Sequence, residues 1–99
     1  MASDNLNKYK KILHNHFPEL ERKYDVSYLG IFGSYVRGED TKESDLDILV
    51  EFSKTPGLME INSLENYLSD LLGVKVDLVP KRSLKPRLEE NILEEVETV

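Results

Sequence analysis

The sequence contains no cysteine, which excludes disulfide bridges, thiolate catalysis and metal sites built on sulfur. It also lacks any apolar run long enough to span a membrane, and its N-terminus has no apolar secretory core. We therefore expect a cytoplasmic protein that makes no membrane contact. Basic residues are in the minority, with 13 lysines and arginines against 19 acids and a net charge of −6. This balance disfavours nucleic acid as the main partner, because such binding depends on neutralising phosphates.

The residues that are present predict one small folded domain over residues 1–99, because this length suits a single domain and 39% of the chain is hydrophobic. Apolar periodicity separates helical segments from β-prone segments along the chain. The expected strands are Val26–Phe32, Asp45–Phe52 and Val74–Val79, and the expected helices cover Leu6–Phe17, Tyr35–Arg37, Leu58–Leu72 and Leu88–Val96. Strands separated by helices predict an α/β fold.

Two local patterns refine this prediction. Ser3 or Asp4 can cap the first helix, and Pro18 should interrupt or restart it, because proline disfavours helical geometry in the preceding residue. In the second strand, alternation assigns one set of side chains to the core and the other set to the opposite face. The predicted core set is Leu46, Ile48, Val50 and Phe52, and the opposite set is Asp45, Asp47, Leu49 and Glu51.

The chemistry is concentrated between Gly33-Ser34 and Asp45-Leu46-Asp47. Asp45 and Asp47 project from one strand face about 7 Å apart along the backbone, so their charges repel unless a cation or a proton intervenes. Oxygen ligands favour a hard ion such as Mg²⁺, which commonly combines one or two carboxylates with phosphate oxygens and water. A Gly-Ser turn allows close backbone approach and can bind phosphate. The pattern indicates a site for a metal and a polyphosphate.

This pattern resembles the DNA polymerase β-like nucleotidyltransferases, whose signature is Gly-Ser, a spacer of about this length and Asp-x-Asp. Ten residues separate Ser34 from Asp45 here, and the phrase FGSYVRG…SDLDILV is similar to the minimal nucleotidyltransferase (MNT) group. The resemblance implies a small mixed three-stranded sheet flanked by about four helices. It also implies Mg²⁺-dependent transfer of AMP, with ATP as the substrate.

The same resemblance suggests further residues. Gly33 and Ser34 would hold the β- and γ-phosphates, and Arg37 matches the arginine of the GSxxRG form, although a surface ion pair with Glu39 or Asp40 is an alternative. Asp77 would be the third carboxylate, as a ligand of a second metal ion or as the catalytic base. An aspartate facing solvent from an edge strand is the other interpretation. The catalytic and metal-binding set predicted in this way is Asp45, Asp47 and Asp77.

The acceptor is also suggested by the resemblance, since MNT proteins often pair with a HEPN-domain partner. A tyrosine of a HEPN toxin modified with AMP would make this chain an antitoxin, in a possible hetero-oligomer with that toxin. A non-catalytic antitoxin and a stand-alone enzyme for a small molecule are the alternatives. A basic segment could hold the acceptor or the triphosphate, or it could be a solvated flank of a helix start. A group of tail acids is expected on a solvated helix face, although a basic partner could use it. The basic segment consists of Lys75, Lys81, Arg82, Lys85 and Arg87, and the tail acids are Glu89, Glu90, Glu94, Glu95 and Glu97.

Overall fold

The computed structural model describes residues 4–99, which form four α-helices and four strands. The α/β order predicted from the sequence is confirmed. The helices are α1 (Asp4–Tyr24), α2 (Ser34–Arg37), α3 (Leu58–Leu72) and α4 (Pro86–Glu95), and the strands are β1 (Val26–Phe32), β2 (Leu46–Phe52), β3 (Val76–Pro80) and β4 (Glu97–Thr98). A short 3₁₀ turn, Lys81–Ser83, follows β3. Within residues 4–99, no helix is both long and apolar enough to cross a membrane.

The four strands form one mixed sheet in the order β3-β2-β1-β4. Strand β2 runs antiparallel to β1 and parallel to β3, so the implied mixed sheet is confirmed. The implied count of three strands is wrong, because β4 pairs antiparallel with β1 through Gly30 and Ile31. A strand of two residues is too short to produce an alternating pattern, so the sequence predicts only a helix there. That helix ends at Glu95 and β4 follows it.

Helices α1 and α3 pack on one face of the sheet and enclose the main core. Three of the predicted core residues of β2, Leu46, Ile48 and Val50, are completely buried there, whereas Phe52 is only partly buried. Leu49 is also completely buried, although it lies on the opposite face. The single buried face predicted for β2 is thus wrong at Leu49, because β2 has a strand on each side and lies at the centre of the sheet.

Helix α1 continues through Pro18, so the predicted interruption is wrong. Proline removes one backbone hydrogen bond from a helix and costs about 3 kcal/mol in its interior. Leu13 and Leu20, on either side of Pro18, are both completely buried in the core. Their burial holds both halves of α1 on the sheet and offsets this local cost. Of the two candidate caps, Ser3 lies outside the described residues and Asp4 is the first residue of α1.

Candidate active site

Asp47 and Asp77 lie side by side on the two parallel strands β2 and β3. Directly paired residues of neighbouring strands point to the same face of a sheet, so both carboxylates share the face opposite the main core. Asp47 is partly buried and Asp77 is exposed. Asp45 precedes the first residue of β2, is exposed, and lies 3.9 Å from the Lys75 ammonium group. The structure therefore brings the third predicted carboxylate next to the Asp-x-Asp pair.

Gly33 places the Gly-Ser turn directly against Asp47. It follows Phe32, which pairs with Asp47 across the β1–β2 ladder. Its φ of 85° and ψ of −152° belong to a region that only glycine adopts readily. A Cβ atom at this position would overlap the Asp47 carboxylate oxygen and lie 3.1 Å from its Cγ. The sequence thus needs glycine here both for the backbone angle and for the approach to the aspartate.

Ser34 begins α2 immediately after this turn. Among the described residues, no hydrogen-bond partner is found for its hydroxyl, so the group can bind a ligand. The next residue, Tyr35, is buried and makes an edge-to-face contact with Tyr9 at a ring distance of 5.7 Å. Tyr35 therefore packs inside the fold.

The electrostatics of the site concentrate on Asp47. Burial, together with the neighbouring carboxylates of Asp77 and Asp45, raises the pKa of Asp47 to about 6. The Arg37 guanidinium lowers the pKa of Asp47, but burial and the neighbouring carboxylates raise it by more. The folded chain therefore carries a carboxylate that is poorly stabilised when it is charged, and a bound cation would relieve this cost.

A divalent cation fits this donor set only in part. In the described part of the chain, no three acidic or histidine side chains are arranged as a ready-made metal site. Mg²⁺ does not need such a cage, since one or two carboxylates suffice when phosphate oxygens and water complete the shell. Asp47 with Asp45 or Asp77 supplies such a pair, with oxygen donors only. The residues fit Mg²⁺ that arrives with a nucleotide better than Mg²⁺ bound alone.

Glu95, which binds Arg37, is the part of the site that the sequence did not reveal. Arg37 donates from Nε to Glu39 at 3.1 Å and from Nη1 to both carboxylate oxygens of Glu95 at 3.0 Å. The backbone N–H of Gly33 donates to the same Glu95 at 3.0 Å. The ion pair proposed between Arg37 and Glu39 is therefore present. The expectation of a solvated Glu95 is wrong, because the chain end folds back onto β1 and carries Glu95 to the turn.

The remaining candidate charges are spread over the surface. Glu97 lies in β4 and pairs with Lys10 at 3.5 Å, so it does not belong to a helix face. In the basic segment, Lys81 pairs with Glu51 at 3.6 Å. The other four bases of the segment, Lys75, Arg82, Lys85 and Arg87, are exposed. Apart from Lys75, which lies 3.9 Å from Asp45, this distribution favours the solvated-flank interpretation of the basic segment.

Gly33→Ala is expected to destabilise the chain by about 2–3 kcal/mol, because alanine meets both a forbidden backbone angle and the Asp47 carboxylate. Gly73→Ala is the matched control, since Gly73 also has a positive φ of 70° but no atom within 4 Å of the added Cβ. We expect about 1 kcal/mol there. Urea unfolding of both variants measures the difference. Equal losses would contradict the close packing of Gly33 on Asp47.

Comparison with known proteins identifies the family of this chain. Residues 9–99 match the family of the nucleotidyltransferase domain. The protein adenylyltransferase MntA of Thermococcus cleftensis is 47% identical over 96 residues, which cover 97% of each chain. A solved structure assigned as a minimal nucleotidyltransferase superposes with a TM-score of 0.77 at 35% identity and covers 100% of this chain and 97% of its own.

A second solved structure is an assembly. It contains a tri-AMPylated HEPN toxin of Shewanella oneidensis in complex with an MNT antitoxin. The matched chain superposes with a TM-score of 0.61 at 26% identity, over 95% of this chain and 67% of that one. The family match extends over residues 9–99, the MntA relative aligns over almost its whole length, and the minimal nucleotidyltransferase structure covers the whole chain at 35% identity. This chain therefore belongs to the nucleotidyltransferase domain family, within its minimal nucleotidyltransferase group.

Proposed function

We propose that this nucleotidyltransferase moves AMP from ATP to a hydroxyl of a HEPN-domain toxin, that the hydroxyl is a tyrosine's, and that the chain thereby acts as an antitoxin. One observation carries the proposal. Asp47 and Asp77 are paired on neighbouring strands, and the Asp47 carboxylate lies directly against Gly33, where a side chain would not fit. A protein that only binds a partner needs neither an acidic pair nor a tight turn against it.

The transfer step requires one bond to form and one to break. The acceptor oxygen attacks the α-phosphorus of ATP, the bond from that phosphorus to the bridging oxygen breaks, and pyrophosphate leaves. Asp77 accepts the proton of the acceptor hydroxyl in this proposal, since it is exposed beside Asp47 where an incoming group can reach it. The Ser34 hydroxyl and the Arg37 guanidinium bind the phosphates that leave.

Asp45 and Asp47 would hold Mg²⁺, and Asp77 could share in this role. When bound, Mg²⁺ supplies positive charge that stabilises the phosphate oxygens during transfer. Positioning and charge stabilisation account for most of the catalysis of phosphoryl chemistry, so the site needs no covalent enzyme intermediate. The carboxylate that the fold leaves poorly stabilised, Asp47, is the one that gains most from the cation.

Two findings support the acceptor and the donor. The Thermococcus cleftensis relative is named as a protein adenylyltransferase, and the structurally similar MNT antitoxin is seen with an AMPylated HEPN toxin. An adenylyl group is AMP, and ATP is its ordinary donor.

The test is to incubate the chain with ATP, Mg²⁺ and a HEPN-domain toxin from the same organism, and to measure the mass of the intact toxin. We expect an increase by one or more whole AMP units, mapped by fragmentation to tyrosine. The increase should disappear in Asp45→Asn and Asp47→Asn, because each removes a metal-binding charge. Glu90→Gln, an exposed charge on α4, is the matched control and should leave the increase unchanged.

Two results would contradict the proposal. The chain would be a non-catalytic antitoxin if it neutralises the toxin without changing the toxin's mass, and if the Asp45→Asn and Asp47→Asn variants do the same. A toxin that stays active and unmodified, while the chain adenylylates a small hydroxyl compound, would identify a stand-alone enzyme.

A further inference from the structure

We propose that Glu95 is a positioning residue that holds the phosphate-binding turn and Arg37 in the geometry required by the triphosphate. This inference rests on the proposed nucleotide-binding function of the turn. Glu95 Oε1 accepts two hydrogen bonds at 3.0 Å, one from the Gly33 N–H and one from Arg37 Nη1. Its second oxygen accepts from Arg37 as well, also at 3.0 Å. One carboxylate therefore fixes the backbone of the turn and the cation beside it in relation to each other.

The position of Glu95 follows from the register of the sheet. In the antiparallel ladder between β1 and β4, Gly30 pairs with Thr98 and Ile31 pairs with Glu97. Continuing this register places Gly33 opposite Glu95. The backbone at Glu95 already belongs to α4 and cannot continue the ladder, so its side chain replaces the missing carbonyl as acceptor for the Gly33 N–H.

The segment after Glu95 is firmly attached to β1. The Val99 N–H donates to the Leu29 carbonyl at 3.0 Å, and the Tyr28 and Thr98 hydroxyls are 3.0 Å apart. Val96 packs so closely on Gly30 that an added Cβ would lie 2.5 Å from its Cγ2. Glu95 is therefore carried by an anchored element, as a positioning group must be.

The phosphate-facing groups remain accessible while Glu95 is in place. The Ser34 hydroxyl has no hydrogen-bond partner among the residues that the structure describes. Arg37 is 48% exposed along its side chain, and Glu39 and Glu95 hold its guanidinium from two sides. A cation with a fixed orientation loses less conformational freedom when it binds a phosphate.

The experiment measures calorimetric binding of α,β-methylene ATP with Mg²⁺, because this analogue cannot be cleaved at the transferring phosphorus and needs no acceptor. Glu95→Ala is expected to raise Kd about tenfold or more. Glu95→Gln keeps an oxygen that can accept the two hydrogen bonds made to Oε1 and loses only the second bond from Arg37, so its Kd should stay within about threefold of the unmutated value. Glu94→Ala, an exposed neighbour on α4, should leave Kd unchanged.

A spectroscopic measurement separates positioning from simple stabilisation. The Gly33 amide proton should exchange with solvent faster in folded Glu95→Ala than in the unmutated chain. In Glu95→Gln and Glu94→Ala it should exchange at the same rate as in the unmutated chain. If Glu95→Ala does not fold, Glu95→Asp replaces it, since the shorter side chain cannot reach both donors and should weaken binding to a similar extent.

The inference is overturned if Glu95→Ala or Glu95→Asp binds the analogue as tightly as the unmutated chain, or if either binds it more tightly, as removal of an inhibitory plug would predict. Failure of the proposed transfer is recognised separately. In that case the unmutated chain binds the analogue and the Glu95 variants weaken it, but no AMP reaches the toxin. No binding by the unmutated chain would overturn both proposals.

Discussion

Replacing Asp47 with asparagine is expected to abolish AMP transfer and, at neutral pH, to make the folded chain more stable. A metal ligand contributes several kcal/mol to transition-state stabilisation, so the loss of transfer should be on the order of 10³-fold. The gain in stability arises because the fold raises the pKa of Asp47 to about 6, from an ordinary value of 3.8. After discounting for solvent screening, we expect a gain of about 1–2 kcal/mol in the free energy of unfolding.

The sign of the pH dependence follows from proton binding. The folded chain holds the Asp47 proton more tightly than the unfolded chain does, so the stability that this group contributes in acid is lost between about pH 4 and about pH 6, and the loss is complete above that range. The advantage of Asp47→Asn should therefore be largest near about pH 8 and nearly absent by about pH 4. Urea unfolding at both pH values measures it, with exposed Asp70→Asn as the control. An advantage that grows in acid would refute this account of Asp47.

Asp77→Asn should have the second large effect, a loss of about 10²–10⁴-fold in transfer, whether Asp77 acts as the base or as a metal ligand. The same substitution should also change the pKa of Asp47. The Asp77 carboxylate is one cause of the raised pKa of Asp47, so its removal should lower that pKa from about 6 towards the ordinary value. Carboxyl carbon NMR of the chain without nucleotide measures this shift.

Glu51→Gln is the control for Asp77→Asn. Glu51 lies further along β2 on the same face as Asp47, and it pairs with Lys81 instead of contributing to the Asp47 shift. The pKa of Asp47 should therefore not change in this variant. An Asp47 pKa that is insensitive to Asp77→Asn would show that the two carboxylates do not face each other.

The parts of the site that could be predicted from sequence lie close together in the chain or in neighbouring strands. Gly33, Ser34 and Asp47 belong to the single β1–α2–β2 unit, so their spacing already places them together. Asp77 required only that β3 lie beside β2, which the structure confirms. Its catalytic role remains a prediction, as do the roles of the other site residues.

The parts that could not be predicted depend on contacts between distant segments. The Glu95 side chain accepts a hydrogen bond from Gly33, which lies 62 positions earlier in the chain. This contact depends on the pairing of the two-residue strand β4 with β1, and so short a strand shows no periodicity in the sequence. Leu49 is buried because β2 became a central strand, a property of the whole sheet and not of its own alternation. Pro18 stays helical because the buried leucines around it outweigh a local preference.

The central claim is that the three aspartates and the Gly-Ser turn act together as one binding site for a metal and a triphosphate. Paramagnetic Mn²⁺ tests it directly when it is added in substoichiometric amounts to the labelled chain with α,β-methylene ATP. We predict that the amide signals of Ser34, Asp47 and Asp77 broaden first, before that of Gly57 beyond the other end of β2. Broadening that is centred elsewhere, for example on the acids of α4, or that spares either the turn or the aspartates, would contradict the account.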